Sequence, residues 1–195
     1  MVNQDSFRMI SSTLQLRRGE DMPAAARAGA LWRVTRGAFR LGRTAHDGQT
    51  LVKLAFAGDL MGVECLCAEP CGDTATALID SRVCMEPVGN ETARYRTLAE
   101  GFLQQRQRAL DMVRLRSGNI AGRIEYLLNL LGQQADAGVI ALERQALPSL
   151  SELALIVGST PETVCRELKA FMPARPGLGR PVVPWSKPMA LATAS

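Results

Sequence analysis

The sequence predicts an α+β chain: an N-terminal all-β roll, one long helix, then a C-terminal pair of short helices. Three observations carry this. Short strand-like runs follow one another from Leu31 onward, separated by turn residues. A stretch from Glu91 to Arg114 contains no proline and a single glycine, Gly101. Two capped helical segments then meet at Gly158.

The strands come first. Leu31-Trp32-Arg33-Val34 and Ala38-Phe39-Arg40-Leu41 flank Thr35-Arg36-Gly37. Leu51 to Phe56 alternates after the turn His46-Asp47-Gly48, and Asp-Gly between apolar runs is a hairpin signal. Gly58-Asp59 marks another turn, and Thr74 to Val83 reads as one further strand. Strands this short at this spacing indicate a barrel or roll. Met1 to Ala30 is polar and alanine-rich with little periodicity, so no element is assigned there.

After Pro87 and Gly89 the pattern becomes helical. Two apolar stripes can be drawn along Glu91–Arg114. One runs through Leu98, Phe102, Ala109 and Met112, the other through Ala99, Leu103, Leu110 and Val113. Both follow the three-four rhythm of a coiled coil, and Gln105 or Arg106 interrupts each. Either the helix lies on its own β domain or it pairs with a second copy. Ile120 to Leu131 forms another helix, stopped by Gly132.

The segment from Leu147 to Lys169 is the most informative. Ser149 and Glu152 have capping-box spacing. Leu150, Leu153, Ala154 and Val157 then share one face, and Gly158 permits a left-handed turn. Thr160-Pro161 restarts a helix, with threonine as cap and proline at the first turn. Val164, Leu168 and Phe171 face the core, while Glu162, Cys165, Arg166 and Lys169 face out. This is the layout of a helix-turn-helix, whose second helix enters the DNA major groove. Arginine bonds guanine bidentately and glutamate accepts from cytosine N4. The plain alternative is two surface helices with Glu162 and Arg166 as an i, i+4 ion pair.

The motif Glu162-Thr163-Val164-Cys165-Arg166-Glu167-Leu168 resembles the helix-turn-helix core of the CRP/FNR superfamily of bacterial transcription regulators. Ala121 to Ile124 with Leu127 to Leu130 is similar to the helix that leads into its DNA-binding domain. Val34 to Leu41 and Gly58 to Gly62 resemble turns of its β-roll sensor. The resemblance runs from about Leu31 to Phe171. It implies a cyclic-nucleotide-binding-like sensor over 1–90 (poorly defined over 1–30) and a dimerisation helix over 91–116. It further implies a winged-type helix-turn-helix over 117–172, with the proline-rich 173–195 as a flexible tail and the wing reduced. Ser159, Thr160, Glu162, Thr163, Cys165, Arg166 and Lys169 are the expected DNA-facing residues. The implied partners are double-stranded DNA, a second copy of the chain and RNA polymerase. The rival reading is a β-roll protein acting through protein contacts with a degenerate helix-turn-helix; Pro161, where many relatives are basic, keeps it open.

By the same resemblance, an effector pocket would involve Gly62, Glu64, Thr74 and Thr76. Gly62-Val63-Glu64 places the glutamate one residue later than in cyclic-nucleotide binders, and Gly72 to Ala77 lacks their arginine. Asp73 would repel a phosphate. A small-molecule effector is therefore expected to be something other than cyclic AMP, since the phosphate would lose its strongest charge-assisted bonds.

No cofactor is expected. Cys65, Cys67, Cys71 and Cys84 lie close in sequence, but C-x-x-C spacing is absent. Cys65, Cys67 and Cys71 are only weak metal candidates, because free cysteines usually pack as small hydrophobes. His46, the sole histidine, sits in a turn. No phosphate-binding loop, dinucleotide fingerprint or nucleophile motif is present, which argues against an enzyme. The net charge is +4, mostly from arginine, which suits phosphate contacts without proving them. Five cysteines without a secretory signal argue for reduced thiols in the cytoplasm. No apolar run is long enough to span a membrane.

Overall fold

The computed structural model describes residues 13–44, 50–69, 71–133 and 147–171. Among them, seven antiparallel strands form two sheets. They are β1 (Thr13–Leu16), β2 (Trp32–Arg36), β3 (Ala38–Thr44), β4 (Thr50–Phe56), β5 (Leu60–Met61), β6 (Thr74–Ala77) and β7 (Ser81–Met85). One sheet has the order β1-β7-β2-β5, the other β4-β3-β6. The long runs pair as expected: β3 and β4 are in register from Ala38↔Phe56 to Thr44↔Thr50. The turn His46-Asp47-Gly48 between them lies outside the described residues.

Two differences from the sequence reading stand out in the sheets. The first is β1, together with a one-turn helix α1 (Ala24–Arg27), in a stretch to which no element was assigned. Leu16, Met22 and Ala26 are buried there, too sparsely to show a period. The second is Thr74–Val83, which is two strands rather than one. Leu78, Ile79 and Asp80 turn the chain from one sheet to the other.

Alternation along β3 builds two cores. Phe39 and Leu41 point into the roll, with Trp32, Val34 and Val83. Ala38, with Val52, Leu54 and Phe56 of β4, packs against the helices. These are α2 (Glu91–Arg116), α3 (Ile120–Gly132), α4 (Leu150–Val157) and α5 (Pro161–Phe171). Asn90 and Asn119 cap α2 and α3 through side-chain oxygens. Gly101 explains the lone glycine of α2. It is buried, and a Cβ there would stand 2.9 Å from Val63 of the 3-10 turn Val63–Cys67.

α2 resolves the choice between its stripes. Leu98 and Met112, the ends of the first stripe, are half-buried against this chain's own cores, while Phe102 and Ala109 between them are exposed, Phe102 to 67%. Leu103, Leu110 and Val113 are 60%, 51% and 61% exposed. The second stripe is therefore the one open along its whole length, with Arg106 in its middle, while Gln105 lines the cavity beside the roll. No helix among the described residues is long and apolar enough to cross a membrane.

Candidate nucleic-acid interface and ligand cavity

The helix-turn-helix begins at Ser149, whose hydroxyl accepts from the Glu152 N–H at 3.2 Å. The other half of the expected capping box is diverted. Glu152 accepts from Arg40 Nε of β3 at 2.6 Å instead of reaching back. Leu153, Ala154, Ile156 and Val157 are buried, whereas Leu150 is 38% exposed. The periodicity misplaced Leu150 and omitted Ile156, because α4 is covered from two sides, by the sheet and by neighbouring helices.

Gly158 ends α4 at φ 63°, in the left-handed region, and the Ser159 N–H donates to the Ala154 carbonyl at 2.9 Å. Two arginines the sequence reading passed over complete this end. Arg116 donates to the carbonyls of Ile156 and Leu155, both at 2.7 Å, and Arg123 to that of Val157 at 3.1 Å. Cations at a helix C-terminus satisfy its open carbonyls and oppose its dipole. Both lie near helix termini in sequence, but their partners are more than thirty positions away.

The Thr160 hydroxyl accepts from the Thr163 N–H at 3.3 Å and caps α5. Val164 and Leu168 are buried, and Phe171 packs on the core. Glu162, Arg166 and Lys169 are exposed, Thr160 is exposed before them, and Ser159, Thr163 and Cys165 are half-buried. Arg166 does not pair with Glu162. Its Nε lies 3.4 Å from its neighbour Glu167, and its side chain remains 74% exposed. Hydrogen bonds from its own backbone and from Thr160 hold the Glu162 carboxyl below the usual carboxylate range, so it is ionised. Any wing or tail beyond Phe171 lies outside the described residues.

A cavity of about 310 Å³ lies between the roll and α2. Gly62 and Glu64 line it; Thr74 and Thr76 do not. Ala75 of β6 and Asp73 just before it face inward, one position out of phase with the expectation, and a one-residue shift turns every strand side chain over. Thr74 donates to the Gly42 carbonyl, and Thr76 lies between Asp21 and Arg40 on the opposite side. Asp73 does not stand alone: Arg43 Nε donates to it at 2.8 Å and Lys53 Nζ at 3.2 Å. Gly72 to Ala77 indeed holds no arginine, but two arginines from elsewhere, Arg27 and Arg108, line the cavity. Arg27 of α1 donates to the carbonyls of Met22 and Asp73. Deeper in, Arg108 binds Asp59 Oδ2 and Asp111 Oδ2, both at 2.7 Å, and lies over the Phe56 ring. The Tyr126 hydroxyl of α3 donates to Asp111 at 2.9 Å.

Cys65 and Cys71 are half-buried, Cys67 is exposed, and all three are free thiols. Burial pushes the Cys65 thiol up, away from the thiolate a metal needs. Among the described residues no group of three or more His, Cys, Asp or Glu side chains is placed to hold a metal ion.

No protein-family model matches the chain, and no curated protein matches it. Solved structures do. The chain is similar to TTHB099, a CRP-family transcriptional regulator of Thermus thermophilus, at 22% identity over 83% of this chain and 88% of that one, with a TM-score of 0.61. TTHA1359, a CRP/FNR-family regulator of the same organism, is similar at 23% identity over 86% and 91%, TM-score 0.58. FixK2 of Bradyrhizobium japonicum is similar at 22% identity over 88% and 91%, TM-score 0.58. With two antiparallel sheets, a long helix and a helix-turn-helix in this order, the chain has the fold of the CRP/FNR transcriptional regulators.

Proposed function

We propose that this chain is a sequence-specific DNA-binding transcription regulator that acts as a homodimer on a palindromic site. The observation that carries the reading is the outer strip of α5. Arg166 is unpaired with Glu162 and exposed, with an ionised Glu162 one turn before it and Lys169 one turn after it. Arginine suits the guanine edge, glutamate the cytosine amine, and lysine a phosphate. Ser159, Thr160, Thr163 and Cys165 flank the strip as further contacts. The fold neighbours TTHB099 and TTHA1359 are described as transcriptional regulators, which supports the same role here.

The open stripe of α2, Leu103, Leu110 and Val113, is the dimerisation seam in this reading. A twofold axis along it would set two α5 helices in successive major grooves, about 34 Å apart. The unit boundaries are then 1–90 for the sensor, 91–116 for the seam, 117–172 for DNA and 173–195 for the tail. A small-molecule effector occupies the cavity beside α2, and RNA polymerase is the further partner. The test is selection of bound duplexes from a random pool, followed by fluorescence anisotropy at several salt concentrations. Enrichment of a palindrome, with affinity falling steeply as salt rises, is expected. A pool without a consensus and a flat salt response would leave the helix-turn-helix without DNA.

A further inference from the structure

We propose that the cavity between the roll and α2 binds a small monocarboxylate with an apolar body, its head group held by Arg27 and Lys53. The inference rests on the effector site of the reading above, but not on DNA binding. The volume, about 310 Å³, is at the lower end of small-molecule sites. Most of the wall is apolar, with Trp32, Leu41, Leu60 and Met112 offering rings and alkyl chains to a ligand body.

The charges are gathered at one end. Arg27 and Lys53 in the wall face two carboxylates, Asp73 and Glu64, and Arg43, behind the wall, pairs with Asp73, so with Arg43 counted one positive charge is uncompensated. Among the described residues Arg27 has no carboxylate partner; its Nε and Nη1 donate only to backbone carbonyls, which leaves Nη2 unused. Lys53 gives one bond to Asp73 and keeps donors to spare. Arg108, the other cation in the wall, is committed to Asp59 and Asp111 and is not available. A single negative charge between Arg27 and Lys53 balances the end, and a planar carboxylate matches the guanidinium edge. A dianion would meet repulsion from both Asp73 and Glu64. Among the described residues Glu64 lines the cavity without an ion pair of its own, so it is the one group that would favour a cation, and the amine arm of the titration below tests it.

The buried Trp32 reports on the cavity directly, and Trp185 is the only other tryptophan. The full chain carrying Trp185→Phe would be titrated with 3-phenylpropionate, 3-phenylpropan-1-ol, 3-phenylpropylamine and cyclic AMP. The acid should shift Trp32 emission saturably below about 1 mM, with the alcohol at least about tenfold weaker and the amine and nucleotide without effect. Arg27→Gln and Lys53→Met should each weaken the acid about fivefold or more. Arg27 also ties α1 to the Asp73 carbonyl just before β6; should its variant melt early, Lys53→Met decides the matter, since that side chain is 40% exposed. Equal binding of acid, alcohol and amine, no acid-dependent shift up to about 10 mM, or full affinity in Lys53→Met would overturn the proposal. No DNA enters this titration, so its failure leaves the α5 reading standing, and a failure of DNA binding leaves the cavity result intact.

Discussion

Arg40 of β3 and Glu152 of α4 are 112 positions apart in sequence, yet they form a forked ion pair, Nε to Oε2 at 2.6 Å and Nη2 to Oε1 at 3.4 Å. Arg40 also donates to Thr76 of β6 at 3.1 Å, the strand whose other face carries Ala75 into the cavity. One arginine therefore joins the cavity strand to the first helix of the helix-turn-helix. Arg18, donating to the Leu147 carbonyl at 2.7 Å, makes a second tie between the same two regions.

Removing one partner of the Arg40–Glu152 pair leaves the other charge partly buried and unmatched. Glu152→Ala should lower stability by about 1–3 kcal/mol, more than a surface pair would cost. Arg40→Ala with Glu152→Ala together should cost less than the sum of the two single changes. Urea unfolding of the four proteins measures this. Strict additivity would mean that the two residues act independently.

Arg166→Ala should cost about 1–3 kcal/mol of specific DNA affinity and relax the preference at one position in each half-site. Lys169→Ala should weaken all sequences alike and lower the salt slope by about one. Competition anisotropy with the selected palindrome and its single-base variants distinguishes the two effects. An Arg166→Ala protein with the parent preference would remove Arg166 from base readout.

Leu110 is half-exposed on the open stripe of α2, with Arg106 one turn before it. Leu110→Glu would set two carboxylates against each other across the seam. Light scattering should then find monomers where the parent is dimeric, with palindrome binding reduced by a factor of about 100 or more. The cost should be small in the melting of the isolated protomer, since Leu110 lies outside its cores. A monomeric parent at micromolar concentration that still bound the palindrome tightly would rule out this seam.

The pH dependence follows from Arg33, which binds Glu86 at 2.9 Å and Glu100 of α2 at 2.6 Å. The hydrogen bond from Arg33 holds the Glu86 carboxyl below its ordinary value of 4.5. Because the folded value is the lower one, this stability is complete above the unfolded value and is lost as pH falls through the folded one. Glu86→Gln should lower stability at neutral pH by about 0.5–1 kcal/mol and flatten the acid limb below the ordinary glutamate value. Parallel losses for parent and variant across that range would show that Glu86 is not the titrating group.

The main elements were legible because each depends on near neighbours. Ser149, Gly158, Thr160 and Pro161 bound two helices through local backbone chemistry, and their caps are in place. The alternation of Leu51 to Phe56 led to β4, and the proline-free run from Glu91 to α2. Local patterning also isolated Glu162, Arg166 and Lys169, since a helix repeats every 3.6 residues wherever it lies.

Tertiary structure alone decided what faces what. The two stripes of α2 are equivalent in sequence; only contact with the roll and the helices behind it buries Leu98 and Met112 and opens Leu103, Leu110 and Val113. The phase of β6, not its presence, put Ala75, and Asp73 just before the strand, in the cavity in place of Thr74 and Thr76. Arg27 enters the lining from a one-turn helix too short to leave a period. Glu152 had a local partner within reach and took Arg40 instead, because a half-buried guanidinium binds a carboxylate more strongly than a backbone N–H does. Pairing between distant charges depends on where folding brings them, and no spacing along the chain encodes it.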